Sequence, residues 1–224
     1  MIRADGWDSH AVWEHSAALR ELYTARARGE APEMTCAAQA AELLAPRVRP
    51  GETVLDAGCG SGHLWHSLRS RGIPAEYHGF DASETFIGIG HAELPRHGLP
   101  AGRLRVLRIE DLAGEADHVV CMNVLSNLDN VHRPLERLLE TARRTLVLRE
   151  SLGEGARHSW VVDEHLDDGA RLKVHVNRYD LDEVTDLIAS HGFTPRTVVD
   201  RRTGGEPEMV IGHPHWWTFV VAER

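Results

Sequence analysis

"VLDAGCGSGHLWHSL", residues 54–68, joins a short apolar run to a helix-like pattern through a turn that holds one acid and three glycines. The run ends in Asp56, glycines follow at 58, 60 and 62, and Leu64 and Leu68 then share one helical face. Such a stretch reads as a buried strand turning sharply into a helix, with glycine supplying dihedrals and close approaches that a Cβ would forbid. The nicotinamide fingerprint G-x-G-x-x-G is not met, because its third glycine, counted from Gly58, falls on His63. The Walker pattern fails too, since no Gly-Lys-Ser/Thr follows the turn. A pyrophosphate at this turn would be repelled by Asp56 in a partly dry site. A ligand carrying an ammonium group would be attracted.

Working outward, strands and helices alternate. "AEYHGFDAS", "LRVLRIEDL", "DHVVCMNVLSNL" and "TLVLRES" read as further strands, while "ETFIGIGHAEL" and "RPLERLLETAR" read as helices, the latter with proline near its first turn. "DLDEVTDLIASHGF" reads as a helix with Asp180 and Glu183 as a capping box, and "TPRTVVDRRT" and "HWWTFVVAE" as two closing strands. Two helices precede all of this, over residues 8–28, with Asp8 or Ser9 as N-cap, and from about Met34 to Leu44. Alternation at this spacing predicts an α/β, three-layer αβα fold around a mostly parallel sheet. In such sheets a ligand sits outside the carboxyl ends of the strands, where strand order reverses.

Composition narrows the function classes. The chain has 224 residues, 42% hydrophobic and 26% charged, which suits one globular domain. A net charge of -9 disfavours a protein that grips nucleic acid by its phosphates. Three cysteines without a CxxC pair (Cys36, Cys59, Cys121) and histidines without metal-ligand spacing predict neither a disulfide framework nor a metal site. The N-terminal "MIRADGWDSH" lacks the apolar core of a signal peptide and no apolar run reaches membrane length, so a cytoplasmic protein with no membrane partner is expected.

"VLDAGCGSG" resembles the first motif of class I S-adenosylmethionine-dependent methyltransferases, an acid followed by glycines at alternate positions, here Asp56, Gly58, Gly60 and Gly62 with Cys59 as a small residue inside the loop. The resemblance extends in organisation over about residues 50–224, and its motifs over a smaller part. It implies a Rossmann-like methyltransferase fold, a seven-stranded sheet whose last strand is antiparallel, and S-adenosylmethionine as cofactor with S-adenosylhomocysteine as product. It divides the single domain into an N-terminal helical lid (1–48), a cofactor-binding half (49–150) and an acceptor-side half (151–224). "HGFDAS" places Asp81, followed by Ala82, where a ribose-binding acid belongs; a helix N-cap is its other reading. "RIEDL" is similar to the adenine-contacting segment, so Ile109, Glu110 and Asp111 are candidates there, although Arg108 stands where a frequent version has an acid. "CMNVLSNLDN" resembles the segment beneath the sulfonium, which brings in Met122, Asn123 and Asn127, with turn formation as the alternative for Asn127 and Asn130.

Methyl transfer of this kind needs geometry more than a covalent catalyst, and a general base only when the acceptor arrives protonated. The expected partner is a small-molecule acceptor methylated on oxygen or nitrogen. Catalytic candidates are Asn123, Glu150 at the carboxyl end of a strand, and His215 in "GHPHWW". Acceptor-binding candidates are Trp13, Tyr23, Asn127, Glu150 and Trp216, with Trp7, His15, Arg149, His158, Tyr179 and His213 nearby in sequence or role. Core packing is the competing reading for the N-terminal aromatics. A silent cofactor-binding module and a nicotinamide oxidoreductase are the alternative functions.

Overall fold

The computed structural model describes residues 12–163, 166–167 and 169–224. A 3-10 turn, Val12–His15, leads into α1 (Ala17–Ala27), which is capped by the Ser16 side chain accepting from the Leu19 amide at 3.3 Å. The cap expected at Asp8 or Ser9 lies outside the described residues. Next come α2 (Thr35–Leu44), β1 (Thr53–Ala57), α3 (Leu64–Ser70), β2 (Glu76–Asp81), α4 (Glu84–Glu93), β3 (Leu104–Val106), β4 (Ala116–Met122), α5 (His132–Thr141) and β5 (Ala142–Gly153). The chain closes with β6 (Trp160–Val162), β7 (Lys173–His175), β8 (Tyr179–Asp180), α6 (Leu181–Ser190), β9 (Thr194–Val199), β10 (Glu208–Val210), β11 (His213–His215) and β12 (Trp217–Glu223).

The main sheet has the order β3-β2-β1-β4-β5-β12-β9, with β8 beside β5 as an eighth strand. β12 alone runs antiparallel to its neighbours β5 and β9, so the last strand reverses as expected. Alternation along the strands sorts side chains onto two faces. Leu55, Ala57, Val119, Cys121, Leu146 and Leu148 meet α5 and α6 on one side. Val54, Tyr77, Val120, Val147 and Phe219 meet α2, α3 and α4 on the other. A small third cluster, Val12, Val174 and Val176 with Trp13, Val161 and Ile211, joins the 3-10 turn to β7.

Besides the eighth strand, the two-residue β8, where seven strands were expected, four details depart from the sequence reading. β3 is short because Ile109–Asp111 coil into a 3-10 turn, and β4 likewise ends before the 3-10 turn Leu125–Asn127. "HWWTFVVAE" divides into β11 and β12. The hairpins β6–β7 and β10–β11 were not expected: their three-residue strands pair only with each other and carry too little alternation to register as strands. The capping box is half formed, for Asp180 accepts from the Glu183 amide at 3.0 Å while the Glu183 carboxylate pairs with His132 at 2.9 Å.

Candidate functional site

Strand order reverses between β1 and β4, so their carboxyl ends open the crevice in which the glycine turn lies. The Gly58 and Cys59 amides both donate to the Phe80 carbonyl at 2.9 Å, tying the turn to the end of β2. The Gly60 amide donates to Asp81 Oδ2 at 2.8 Å, and the Ser83 amide donates to Asp81 Oδ1 at 2.9 Å. Asp81 therefore clasps the turn and the start of α4 together. Burial holds its pKa above the usual carboxylate range against these two donors. Ser83, not Asp81, is the N-cap of α4.

The glycines supply both the dihedrals and the close approaches expected of them. Gly58 and Gly60 have φ of 70° and 55°, as a turn of this tightness demands. A Cβ on Gly58 would lie 2.2 Å from Val124, and one on Gly60 2.3 Å from the Tyr23 ring. The close approaches are thus to protein side chains; Tyr23, stacked on Phe86 with centroids 4.3 Å apart, lies directly on the loop. Gly60→Ala is expected to cost about 2 to 4 kcal/mol in urea denaturation, from the ring clash plus the left-handed backbone. A Tyr23→Ala background should recover the clash portion; equal losses in both backgrounds would show that Tyr23 does not crowd the loop.

Asp56 is 3% exposed and accepts from the Tyr77 hydroxyl at 2.8 Å. Burial raises its pKa to about 7, the Tyr77 bond opposing and the neighbouring Asp81 adding to the shift. Cys59 is buried, and burial pushes its thiol well up, which suits a packing residue rather than a nucleophile.

After β4, Asn123 has φ 59° and its amide donates to the Arg149 carbonyl at 2.8 Å. Asn127 Nδ2 donates to the Asn123 carbonyl at 2.8 Å, which makes Asn127 a turn-former; Asn130 serves likewise, accepting from the Arg133 amide. Ala82, Met122 and Glu110 are half-buried around the crevice, Ile109 is core, and Asp111 is exposed. Arg108 pairs with Glu110 at 3.5 Å, which accounts for a base at that point.

Glu150 requires a correction. It is fully buried instead of reaching a mouth, and its oxygens accept from the amides of Val124, Leu125 and Ser126 and from the Ser126 hydroxyl at 2.7–3.0 Å. A carboxylate so occupied anchors the turn after β4 and has no oxygen left to serve as base or to hold a cation. Arg149 is equally committed: its Nε donates to Asp200 at 2.7 Å and its Nη1 to Asn123 Oδ1, over the Trp217 ring at 4.6 Å. Tyr179 donates to the carbonyls of Leu125 and Leu128, which leaves it structural. His215, a catalytic candidate from the sequence, is 2% exposed against Trp217, and burial lowers its pKa, so it packs as a neutral group. Trp216 lies under Arg178, with its carbonyl accepting from the Leu152 amide. His158 meets the Tyr179 ring edge, and His213 is half-buried in β11. Trp13 packs in the third cluster, and Trp7 lies outside the described residues.

Sequence reasoning missed Glu14, Gln39, Tyr77, Asp167 and Asp200. Glu14 accepts from the Ser83 hydroxyl at 2.6 Å beside Asp81, and Asp167 accepts from the Ala17 amide at 2.8 Å, so the N-terminal segment is strapped down near its start, to the N-cap of α4 and to Asp167. Asp200 was legible, since it follows "TVV" at a strand end as Asp56 follows "VL". Among the described residues no group of three or more His, Cys, Asp or Glu could hold a metal, and no helix is long and apolar enough to cross a membrane.

This architecture, with the glycine turn and two strand-end acids over the reversal point, is the fold of the class I S-adenosylmethionine-dependent methyltransferases. Residues 55–147 match the family described as Methyltransferase domain. The ubiquinone biosynthesis O-methyltransferase of Acinetobacter baumannii (strain ACICU) is 33% identical over 82 residues, which cover 35% of this chain and 34% of that protein. The chain thus spans about a third of the length of the curated relatives it matches. Among solved structures, magnesium protoporphyrin IX methyltransferase (ChlM) from Synechocystis PCC 6803 with bound SAM superposes with TM-score 0.58 at 19% identity, over 85% of this chain and 79% of that one. The [4+2]-cyclase SpnF superposes with TM-score 0.57 at 16% identity, over 88% and 83%.

Proposed function

We propose that this chain is an S-adenosylmethionine-dependent methyltransferase that acts on an oxygen or nitrogen of a small molecule. The observation that carries the reading is the clasp between the Gly60 amide and Asp81 beside a second acid, the buried Asp56, at the end of the adjacent strand. The donor set suits such a cofactor. A carboxylate has about four lone-pair sites, so Asp81 keeps two for a ribose diol after bonding Gly60 and Ser83. Asp56, whose Oδ2 takes the Tyr77 hydroxyl, offers its other oxygen to an ammonium group. Neither acid would tolerate a pyrophosphate. The bound cofactor would supply a methyl already activated on sulfur. The chain's own work is to hold the reactants in line and exclude water, which the strap from Val12 to Ala27 and the cluster around Trp13 can do.

The Asp56 reading predicts a pH dependence. With its carboxyl titrating near 7 in the free protein, binding an ammonium requires proton release, so affinity for S-adenosylhomocysteine should rise from pH 5.5 to 7, by as much as ~10-fold per unit. Asp56→Asn should flatten that slope. A flat profile in the unaltered protein would remove Asp56 from ammonium binding.

Substrate identity is tested by incubating the protein with methyl-labelled S-adenosylmethionine and fractionated metabolites, then searching for labelled products by mass spectrometry. A labelled small molecule with oxygen- or nitrogen-bound methyl supports the proposal; label on protein or nucleic acid overturns its acceptor class. The fold is shared with a [4+2]-cyclase, so fold by itself does not dictate methyl transfer, and the second reading is a protein that binds the cofactor without transferring its methyl. Binding of S-adenosylhomocysteine with no labelled product across the extracts would favour it.

A further inference from the structure

Arg149 and Asp200 form an ion pair that is 3% and 0% exposed, at the carboxyl end of the sheet. Burying two charges costs several kcal/mol, and an apolar pair of similar volume often serves stability as well. The pair is nonetheless built in with care. Arg149 extends from β5 across Trp217 and Phe219 of β12 to reach Asp200 beyond β9, and reaches back to Asn123 after β4. Asp200 is itself held by the Thr203 amide at 3.1 Å, and the segment around it by Gln39 of α2, which donates to the Val199 carbonyl at 2.8 Å and accepts from the Arg201 amide at 2.9 Å.

A guanidinium has donors only, so the amide atom of Asn123 that faces Nη1 must be the oxygen. With its backbone amide on Arg149, its carbonyl on Asn127 and its Oδ1 on Arg149, Asn123 has one polar group left among the described residues, the Nδ2 donor pair. Asn123 is half-exposed at the strand end nearest the reversal point.

We infer that Arg149 is a positioning residue that fixes the Asn123 amide so that Nδ2 donates to an oxygen of the ligand held over β4. This rests on the cofactor reading above, with the amino-acid carboxylate of S-adenosylhomocysteine as the oxygen to be tested. Arg149→Lys keeps the charge opposite Asp200 but lacks the planar fork that spans Asp200 and Asn123 together. Asn123→Gly keeps the left-handed backbone and removes the amide.

Calorimetry with S-adenosylhomocysteine on the unaltered protein, the two single variants and the double variant forms a cycle. Each single change should weaken binding roughly tenfold, and Arg149→Lys should add less than twofold once Asn123 is glycine. Equal losses from Arg149→Lys in both backgrounds, as for a residue that only stabilises the fold, would overturn the inference. Should Arg149→Lys not fold, Asp200→Asn enters the same cycle. A second readout needs no ligand: the ¹⁵N–¹H signals of the Asn123 side-chain amide should move in Arg149→Lys, and unmoved signals would also overturn it. If the unaltered protein gives no binding heat, the cofactor reading has failed, and the amide signals still decide whether Arg149 orients Asn123.

Discussion

Replacing Asp81 by alanine is expected to raise the dissociation constant for S-adenosylhomocysteine by roughly a hundredfold or more, the equivalent of two charge-assisted hydrogen bonds to a ribose diol at about 1.5 to 3 kcal/mol each. The fold should survive with a measurable loss, because the Gly60 and Ser83 amides lose their acceptor. Asp81→Asn separates the two roles. It keeps one oxygen for one of those amides but turns an NH₂ group toward the other, so it should recover part of the stability and little of the affinity. Calorimetry with thermal denaturation reads both quantities. Unchanged affinity in Asp81→Ala would sink the ribose assignment and leave Asp81 as a clasp for the turn.

Glu150→Ala should be the most destabilising single substitution at the site, costing about 3 to 5 kcal/mol in urea denaturation. It strips the acceptor from three consecutive amides, two of them buried, and a hydroxyl that fix the turn after β4. Glu150→Gln should cost somewhat less, since one oxygen remains while its NH₂ faces donors. Burial raises the Glu150 pKa against the Ser126, Leu125 and Val124 bonds, so the unfolded chain releases this proton at lower pH than the folded one. Its contribution to stability therefore declines as pH rises through the ordinary glutamate range toward the raised folded value. A general base would behave otherwise: Glu150→Gln would then fold like the unaltered protein and lose only turnover. That outcome would make Glu150 a base and not an anchor for the turn.

Local periodicity and turn chemistry are properties of neighbouring residues, which is why the αβ alternation, the glycine turn and the acids at 56 and 81 could be read directly. The Asp180 cap was legible for the same reason, whereas the antiparallel closing strand was expected only from the family resemblance. The failures at Glu150 and His215 share a cause. Both sit where a strand ends, the place a charged or basic group would reach ligand, but burial depends on what other elements bring over that end. Ser126 and its neighbours cover Glu150, and Trp217 covers His215.

What the sequence determined by itself is the αβ alternation, the glycine turn with its acids and the chemistry of the ligand they favour, because the spacing of apolar residues, glycines and acids along one chain suffices for them. Which carboxylates keep an open oxygen and which are consumed inside the protein was decided only by tertiary structure. Asp56 lies under Tyr77, Glu150 lies under three amides, and Arg149 bridges Asp200 and Asn123. Hydrogen-bond partners up to 51 residues apart set those outcomes, and the energy of an ionisable group depends on such partners and on the water it has lost.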